Sequence, residues 1–344
     1  MLTVRNELPA GFLTCAPRDL PGVLDGPTLF ELPGESGRPL FVSIILHGNE
    51  ITGLLAMQRV LKYYRERPLP RPLELFVGNV EAAGAGKRLL PGQPDFNRIW
   101  SHGEGPEHDM TRRVLERVKT ADPVACIDIH NNTGRNPMYT VVARNDRPHL
   151  SLASRFSRTV VYATSPNTTC SAAFSSICPS VAVESGLPGE PEGVDAVVRF
   201  VSDSLELPDP VHHVDFDIDL FHTVAVVKVA AACSCGRAGE DVDIELNPAI
   251  ERYNFREVPP GTRLARVRGH SMECIDVQPF RRGATGSWLQ VQDGELTVAR
   301  TLMPAMLTSD PDIIKWDCLC YLMERLPAPG GDSSQRAGPD SEHE

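Results

Sequence analysis

The chain has 344 residues, of which 41% are hydrophobic and 23% are charged, close to the averages of globular proteins that fold in water. At this length about two domains are expected. The net charge of −11 argues against nucleic acid or an anionic membrane as a partner, because both require a basic surface, and no stretch approaches the ~18 apolar residues of a membrane span.

The first two-thirds of the sequence alternates segments typical of strands and of helices. Residues 39–47 (PLFVSIILH) predict a buried strand, and the amphipathic pattern over residues 50–67 predicts a helix. Further strands are expected at 73–79, 124–130, 139–143, 159–164 and 180–185, and further helices at 108–120 and 192–207. This alternation predicts an α/β fold with a doubly wound, mostly parallel (mixed) sheet flanked by helices.

After residue 208 the pattern changes to short strand candidates separated by turn residues. These candidates lie at 222–230, 241–246, 263–269, 273–277 and 295–302. The sequence therefore predicts an α/β domain over residues 1–208 and a smaller β-rich C-terminal domain over 209–326. Residues 327–344 are rich in Gly, Pro, Ser and acidic residues and predict a disordered tail.

The nine cysteines lack the regular spacing of a disulfide framework, and the N-terminal residues lack the basic and apolar regions of a signal peptide. We therefore expect reduced thiols and a cytoplasmic location. Two C-x-C pairs, Cys233/Cys235 and Cys318/Cys320, would each place both thiols on one face of a strand. They lack the C-x-x-C spacing of zinc sites, so buried apolar thiols are the expectation, with a metal role as the alternative.

Side chains that can bind a metal follow three of the predicted strands. His47 and Glu50 follow the first, His130 ends another, and Glu184 stands near the end of a third. Taken alone, such a histidine is more often a structural residue, and a glutamate in a first helical turn interacts with the helix dipole. Together they lie where ligands bind in open α/β sheets, and two histidines with one carboxylate are a complete protein ligand set for a catalytic zinc. Gly48 would allow the tight turn that this convergence requires.

Two nearby stretches fit a metal site with a substrate beside it. Asp128 lies two residues before His130 and therefore on the same side of the strand, where its carboxylate would either orient the imidazole or cap the strand end. Asn97 and Arg98 lie on the loop after the second strand of the alternating region. An Asn-Arg pair can hold a substrate carboxylate through amide and bidentate hydrogen bonds.

Four sequence blocks occur in order between about residues 40 and 190: H-G-N-E, then G-N-x-x-A with G-K-R and F-N-R, then D-I-H-N, then V-E-S-G. This order resembles the succinylglutamate desuccinylase/aspartoacylase family, whose members are related to the zinc carboxypeptidases and hydrolyse the amide of N-acyl amino acids. The resemblance continues more weakly over residues 246–269, which look like the C-terminal module of the family. It implies a zinc-carboxypeptidase-like fold, with residues 1–208 as the zinc-hydrolase catalytic domain.

Carried over position by position, the resemblance implies one Zn²⁺ per chain, bound by His47, Glu50 and His130. It implies that Glu184 is the general base, which takes a proton from a metal-activated water and passes it to the leaving amine. The substrate would be a small N-acyl amino acid, with no nucleic acid or membrane partner; the sequence leaves open whether the chain forms a homo-oligomer.

The same resemblance places the substrate on a cationic loop, where Asn97 and Arg98 would hold its α-carboxylate. Carboxypeptidases and aspartoacylases have an upstream arginine that polarises the scissile carbonyl, whereas Glu81 stands in the corresponding place here. Desuccinylases also lack that arginine, and their G-K-R motif is matched by this chain. We therefore expect Arg88, or Lys87, to contribute the positive charge.

A further difference concerns the substrate. Aspartoacylases bind the aspartate side chain through an arginine in a Thr-Thr-Arg-Ser stretch, and Cys170 lies near that place here. Residues 309–318 offer no counterpart of the C-terminal tyrosine of aspartoacylases. The expected function is a zinc-dependent hydrolase of linear, non-peptide amides of N-acyl amino acids, similar to desuccinylases and aspartoacylases, and these differences argue against specificity for N-acetylaspartate. The alternatives are a metallocarboxypeptidase acting on peptide C-termini and a catalytically inactive binding member of the family.

Overall fold

A mixed β-sheet is the central element of the described chain, which comprises residues 1–132, 136–207, 217–280, 287–316 and 318–327 of a computed structural model. The strands are β1 (Thr3–Arg5), β2 (Thr28–Leu32), β3 (Leu40–Ile44), β4 (Leu73–Val77), β5 (Ala125–His130), β6 (Tyr139–Val142), β7 (Thr159–Tyr162), β8 (Ser180–Glu184), β9 (Asp219–Val229), β10 (Cys235–Gly236), β11 (Ile244–Leu246), β12 (Arg263–Val267), β13 (Ile275–Pro279), β14 (Leu289–Gln292), β15 (Glu295–Val298), β16 (Met303–Ala305) and β17 (Cys320–Leu326). The helices are α1 (Thr52–Tyr63), α2 (Val80–Ala85), α3 (Pro106–Ala121), α4 (Arg147–Ser154), α5 (Cys170–Phe174), α6 (Pro191–Glu206) and α7 (Pro311–Trp316).

Within these described residues, twelve strands form one sheet in the order β1-β2-β4-β3-β5-β8-β6-β7-β9-β17-β16, with β13 paired to β9. In its centre β4, β3, β5 and β8 run parallel, whereas β6 is antiparallel to β8 and parallel to β7. The central strands are nearly continuous runs of buried residues, as expected where both faces of a sheet are covered. The predicted α/β fold with a mostly parallel, mixed sheet is confirmed.

Helices cover both faces of this sheet because its strands direct alternate side chains into two cores. Val42 and Ile44 of β3 belong to the core that α1 and α6 complete. Phe41 points to the opposite side and stacks on Phe174 of α5, with the ring centroids 4.3 Å apart. Helix α3 adds Val114 to that second core. The doubly wound arrangement leaves the carboxyl ends of the central strands free to carry a site.

The β-rich C-terminal part contributes to two sheets. Strands β9, β17 and β16 extend the large sheet, because β9 pairs in parallel with β7. Strands β10, β11, β12, β15 and β14 form a second sheet of five strands, with a separate core that includes Leu264 and Leu296. The predicted second β-rich part is therefore present. The predicted boundary near residue 209 and residues 328–344 of the predicted tail lie outside the described residues, and the division into domains stays a prediction.

The first strand and helix differ from the prediction at their junction. Strand β3 ends at Ile44 rather than at His47, and α1 begins at Thr52 rather than at Glu50. Ile45 has a φ of 57°, which ends the strand because extended backbone requires a negative φ and a β-branched residue rarely adopts a positive one. A loop therefore carries both metal-binding candidates of this block.

The prediction that all cysteines are reduced is wrong for one pair, because Cys233 and Cys274 form a disulfide. Cys233 follows β9 and Cys274 precedes β13, and the antiparallel pairing of these strands brings the two Cα atoms to 5.7 Å. Their separation of 41 residues conceals this proximity in the sequence. The cytoplasmic location stays a prediction. In the described part of the chain, no helix combines the length and the apolar character that crossing a membrane requires.

Candidate metal centre and active site

The loop after β3 is held in place by the neighbouring strand connection. The amide of Gly78 donates to the Ile44 carbonyl at 3.0 Å, and the amide of Asn79 donates to the Ile45 carbonyl at 2.6 Å. These two bonds fix the chain reversal at Ile45, the residue with the unusual φ. His47 is thereby placed in the loop at the carboxyl end of the sheet, next to the end of β5.

Gly48 is needed for space rather than for a special backbone angle, which corrects the expectation from the sequence. A Cβ atom on Gly48 would lie 2.1 Å from the carbonyl carbon of Ala82 in α2, a distance that no real side chain tolerates. The Gly48 amide also donates to the Arg88 carbonyl at 3.1 Å. The glycine therefore lets the loop pack directly against the helix and the cationic segment that follows it.

Two imidazoles and one carboxylate converge at the end of the sheet. The Nδ1 atom of His47 lies 2.6 Å from Oε1 of Glu50, and the Nδ1 atom of His130 lies 2.8 Å from Oε2 of the same glutamate. Each residue offers one ligand atom within 4.8 Å of the others, and all three side chains are buried. Within the described ranges this is the one cluster of three residues with the chemistry and spacing to hold a metal ion.

Each imidazole contacts a second carboxylate through its other nitrogen. The Nε2 atom of His130 lies 2.9 Å from Oδ2 of Asp128, and the Nε2 atom of His47 lies 2.9 Å from Oδ1 of Asp95. Both rings therefore direct Nδ1 to the common centre and Nε2 to a carboxylate, the arrangement that orients metal-binding histidines and fixes their tautomer.

Asp95 is the residue that the sequence reasoning missed. It lies two residues before Asn97, in the stretch D-F-N-R, and its carboxylate also accepts the Asn97 amide at 2.8 Å. Its place beside Asn97 and Arg98, the expected substrate-binding pair, indicates a cluster of polar side chains. Nothing in its position pointed to His47, which precedes it by 48 residues.

The charges of this cluster are strongly coupled. Burial alone lowers the pKa of each imidazole, but Asp128 and Glu50 outweigh it at His130, and Glu50 and Asp95 outweigh it at His47, so both pKa values are raised above 6.5. Burial opposes ionisation of Glu50 as well, yet the two imidazoles hold its pKa below the usual range. A metal ion would replace these protons as the positive charge that the carboxylates require.

Glu184 lies beside this centre with different electrostatics. It is the strand partner of His130 across β5 and β8, and it is half-buried. Burial raises the pKa of Glu184 to about 7, Glu50 adds to this effect, and His130 opposes it. Tyr139, its partner on β6, lines the same cavity and packs against Phe255, with the ring centroids 4.4 Å apart and the rings tilted by 44°. A carboxyl group with this pKa can both accept and donate a proton near neutral pH.

The predicted cationic residues line the same cavity. Arg88 donates to Asp95 at 3.0 Å and approaches Oε1 of Glu50 at 3.6 Å, so its charge lies close to the candidate metal ligands. Lys87 is exposed at the cavity, and Arg98 is half-buried there with one guanidinium N–H donating to the Asn97 carbonyl at 2.8 Å.

The side-chain oxygen of Asn97 is engaged by the protein, and its nitrogen lies next to His130. Its Nδ2 atom lies 3.2 Å from Nε2 of His130, and its Oδ1 atom accepts the backbone amide of Cys170 at 2.9 Å. Cys170 is buried behind Asn97 and is not among the residues that line the cavity.

All predicted site residues except Asp128 line one cavity of about 1070 Å³. Asp128 is fully buried behind His130. The C-terminal part completes the cavity with residues that the sequence did not single out, namely Thr223, Phe255, Ala305, Met306, Asp312, Ile313, Tyr321 and Met323. Tyr321, on β17, lies just beyond residues 309–318, the stretch that offers no tyrosine.

Solved structures of the same fold include enzymes named for deacylation. The succinylglutamate desuccinylase of Chromobacterium violaceum has a TM-score of 0.57 at 16% identity, over 86% of this chain and 87% of its own. A succinylglutamate desuccinylase/aspartoacylase of Rhodobacter sphaeroides has a TM-score of 0.58 at 15% identity, over 88% and 89%. Murine aminoacylase 3 has a TM-score of 0.54 at 16% identity, over 85% and 95%.

No family model and no curated protein matches the sequence. The likeness to solved structures nevertheless covers most of the chain, including the β-rich part. The resemblance to the succinylglutamate desuccinylase/aspartoacylase family is thus confirmed at the level of the fold.

Proposed function

We propose that this protein is a zinc-dependent hydrolase that cleaves the amide bond of N-acyl amino acids. The observation that carries the proposal is the joint orientation of His47 and His130, which direct Nδ1 to Glu50 and Nε2 to a carboxylate. The solved structures with the same fold that are named desuccinylase and aminoacylase support the same reaction class.

The donor set fits zinc. Two imidazole nitrogens and one carboxylate oxygen, contributed by His47, His130 and Glu50, are a ligand set of catalytic zinc sites, which leave a fourth position for water or substrate. When bound there, Zn²⁺ supplies a Lewis acid that polarises the substrate carbonyl and lowers the pKa of water. One ion per chain is expected.

Glu184 is proposed to carry the proton transfers. As the carboxylate it takes a proton from the water that attacks the carbonyl carbon, and as the acid it returns that proton to the leaving nitrogen when the amide bond breaks. Its raised pKa of about 7 suits both steps, because a group that titrates near the working pH is an efficient acid and base. The products are a carboxylate and a free amino acid.

The cationic residues are proposed to bind the substrate's negative charges. Arg88, which lies next to Glu50, stabilises the oxyanion that develops on the carbonyl oxygen, with Lys87 nearby. Arg98 binds the α-carboxylate and Asn97 positions it. Asp128 orients His130 through Nε2.

The test of the mechanism is Glu184→Gln, which keeps the shape of the side chain and removes its ability to carry a proton. We expect kcat on an N-acyl amino acid to fall by about 10²–10⁴-fold, the usual contribution of a general base. The zinc content should stay near one ion per chain, because Glu184 is not a proposed ligand.

The matched control is Glu192→Gln, an exposed glutamate at the start of α6, which should leave kcat unchanged. Full activity of Glu184→Gln would overturn the proposed mechanism. Faster cleavage of peptides with a free C-terminus than of N-acyl amino acids would instead identify a metallocarboxypeptidase.

A further inference from the structure

The cavity extends from the candidate metal centre along one face of the large sheet. Glu184 and Ala182 lie two residues apart on β8, so both side chains point to the same face of the sheet and line the cavity. Val141 of β6 is the register partner of Ala182. Val161 of β7 is in turn the register partner of Val141. The side chains that continue the cavity floor away from the glutamate are therefore small and apolar.

The floor continues onto strands of the β-rich part. Thr223 of β9 and Met323 of β17 are register partners and both line the cavity. From β8 through β6, β7 and β9 to β17 the floor crosses four interstrand spacings, which amounts to about 19 Å. We call this floor, from Ala182 to Met323, the trench.

Two apolar side chains from the β-rich part add to the wall of the same cavity. Phe255 and Met306 line the cavity, and the Phe255 ring packs against Tyr139. Both residues have a positive φ, 55° and 63°, which side-chain-bearing residues adopt only when the surrounding structure holds them there. The β-rich part therefore contributes apolar surface to the cavity wall.

The charges that line the cavity are unevenly distributed. Among the described lining residues, the lysine and arginine side chains are Lys87, Arg88 and Arg98, all on the segment next to the metal centre. Asp312, on the helix that packs against β9, adds a negative charge to the other part of the wall. A substrate carboxylate in the trench would lose its hydration without gaining a cation, which is unfavourable.

We propose that the trench binds a bulky apolar group joined to the scissile amide, and that the protein discriminates against substrates with a second carboxylate, such as N-acetylaspartate and N-succinylglutamate. This inference rests on the proposed hydrolase function and names its substrate class. The apolar group is either the acyl chain or the side chain of the amino acid, since both are attached to the amide that faces Glu184.

Two series of substrates distinguish whether the apolar group in the trench is the acyl chain or the amino-acid side chain. One varies the acyl group on glycine from acetyl through octanoyl to lauroyl, and the other varies the amino acid on the acetyl group from glycine through leucine to phenylalanine. We expect kcat/KM of the zinc-loaded full chain to rise about fourfold per buried methylene in one series until the trench is filled. The two dicarboxylate substrates should be at least tenfold poorer than the best apolar one.

A substitution in the trench provides the structural test. Ala163 directly follows β7 and lines the cavity two residues after Val161. Ala163→Phe should lower the ratio of kcat/KM for the largest apolar substrate over that for N-acetylglycine by at least tenfold. Its matched control is Thr164→Phe, an exposed neighbour that does not line the cavity, which should keep the ratio. A flat response in both series, or a preference for a dicarboxylate, overturns the inference.

Binding to the Glu184→Gln variant separates this inference from the proposed function. Calorimetric titration with N-lauroylglycine, N-acetylphenylalanine and N-acetylglycine should give the tightest Kd for one of the first two, and Ala163→Phe should weaken it. If no N-acyl amino acid is hydrolysed but this order of binding holds, the proposed function fails and the trench assignment stands. Equal or undetectable binding of all three overturns the trench assignment.

Discussion

The two candidate zinc-binding histidines, His47 and His130, each contact Glu50 and one further carboxylate, but different structural elements hold them in place. His130 ends β5, and its carboxylate partner Asp128 is two residues earlier on the same strand and fully buried. His47 lies in a loop, and its partner Asp95 comes from another loop and is partly exposed, with 20% of its side chain accessible. The same chemistry is thus built once from strand geometry and once from loop packing.

The difference lies in what keeps each carboxylate in place. Strand alternation alone puts Asp128 beside His130, because residues two apart share a face. Asp95 is held by the Asn97 amide at 2.8 Å and by Arg88 at 3.0 Å. We call His130 with Asp128 the strand-borne half of the site and His47 with Asp95 the loop-borne half. The strand-borne half should be the more rigid, and the loop-borne half should tolerate substitution better.

The largest expected effect treats the two halves alike. His47→Ala and His130→Ala each remove one of three proposed zinc ligands, and both should reduce the zinc content from about one ion per chain to nearly none, with loss of turnover. Metal analysis of the purified, folded variants measures this. His102→Ala, at an exposed position, is the control and should retain the metal. A variant that keeps stoichiometric zinc after losing either histidine would contradict the assigned ligand set.

The next effect separates the two halves. Asp128→Asn should weaken zinc binding by about 10–100-fold, as is usual when the partner of a ligand histidine is lost, because the buried position admits no substitute. Asp95→Asn should lie at the lower end of that range or below it, since water can reach its more exposed site. Competition with a chelator of known affinity gives both Kd values. A larger loss for Asp95→Asn would reverse the proposed order of rigidity.

The same contrast explains how much of the site could be predicted from sequence. His47, Glu50, His130 and Glu184 stand near predicted strand ends, and the topology of open α/β sheets brings such ends together. Asp128 followed from strand periodicity. These inferences needed only local patterns and one general rule about where strands end.

The remainder depended on contacts between distant segments without a periodic pattern. Asp95 lies on a loop whose course is set by packing, and Phe255 and Met306 reach the cavity from the β-rich part. The disulfide between Cys233 and Cys274 required the pairing of β9 with β13. The end of β3 at Ile44 depended on an unusual φ at a residue type that favours strands.

The smallest expected effect is the dependence of kcat/KM on pH, which is set by the carboxyl group of Glu184. Glu184 acts as a base only when deprotonated, so kcat/KM should fall about tenfold per pH unit below its pKa. That pKa is raised to about 7 chiefly by burial, and the positive charge of a bound zinc would lower it, so the acidic limb should lie at or below pH 7. A pH-rate profile of the zinc-loaded protein measures the limb, and an acidic limb well above pH 7 would contradict the assignment.

The metal-free protein tests which histidine controls this carboxyl group. His130 is the strand partner of Glu184 and lowers its pKa more than His47 does. Both imidazoles have raised pKa values and each lowers the pKa of Glu184, so removing either one should raise the pKa of Glu184, and His130→Ala should raise it further than His47→Ala. Carbon NMR of the glutamate carboxyl groups follows the titration directly. Equal shifts in the two variants would contradict this order, because they would show that His130 and His47 influence Glu184 to the same extent.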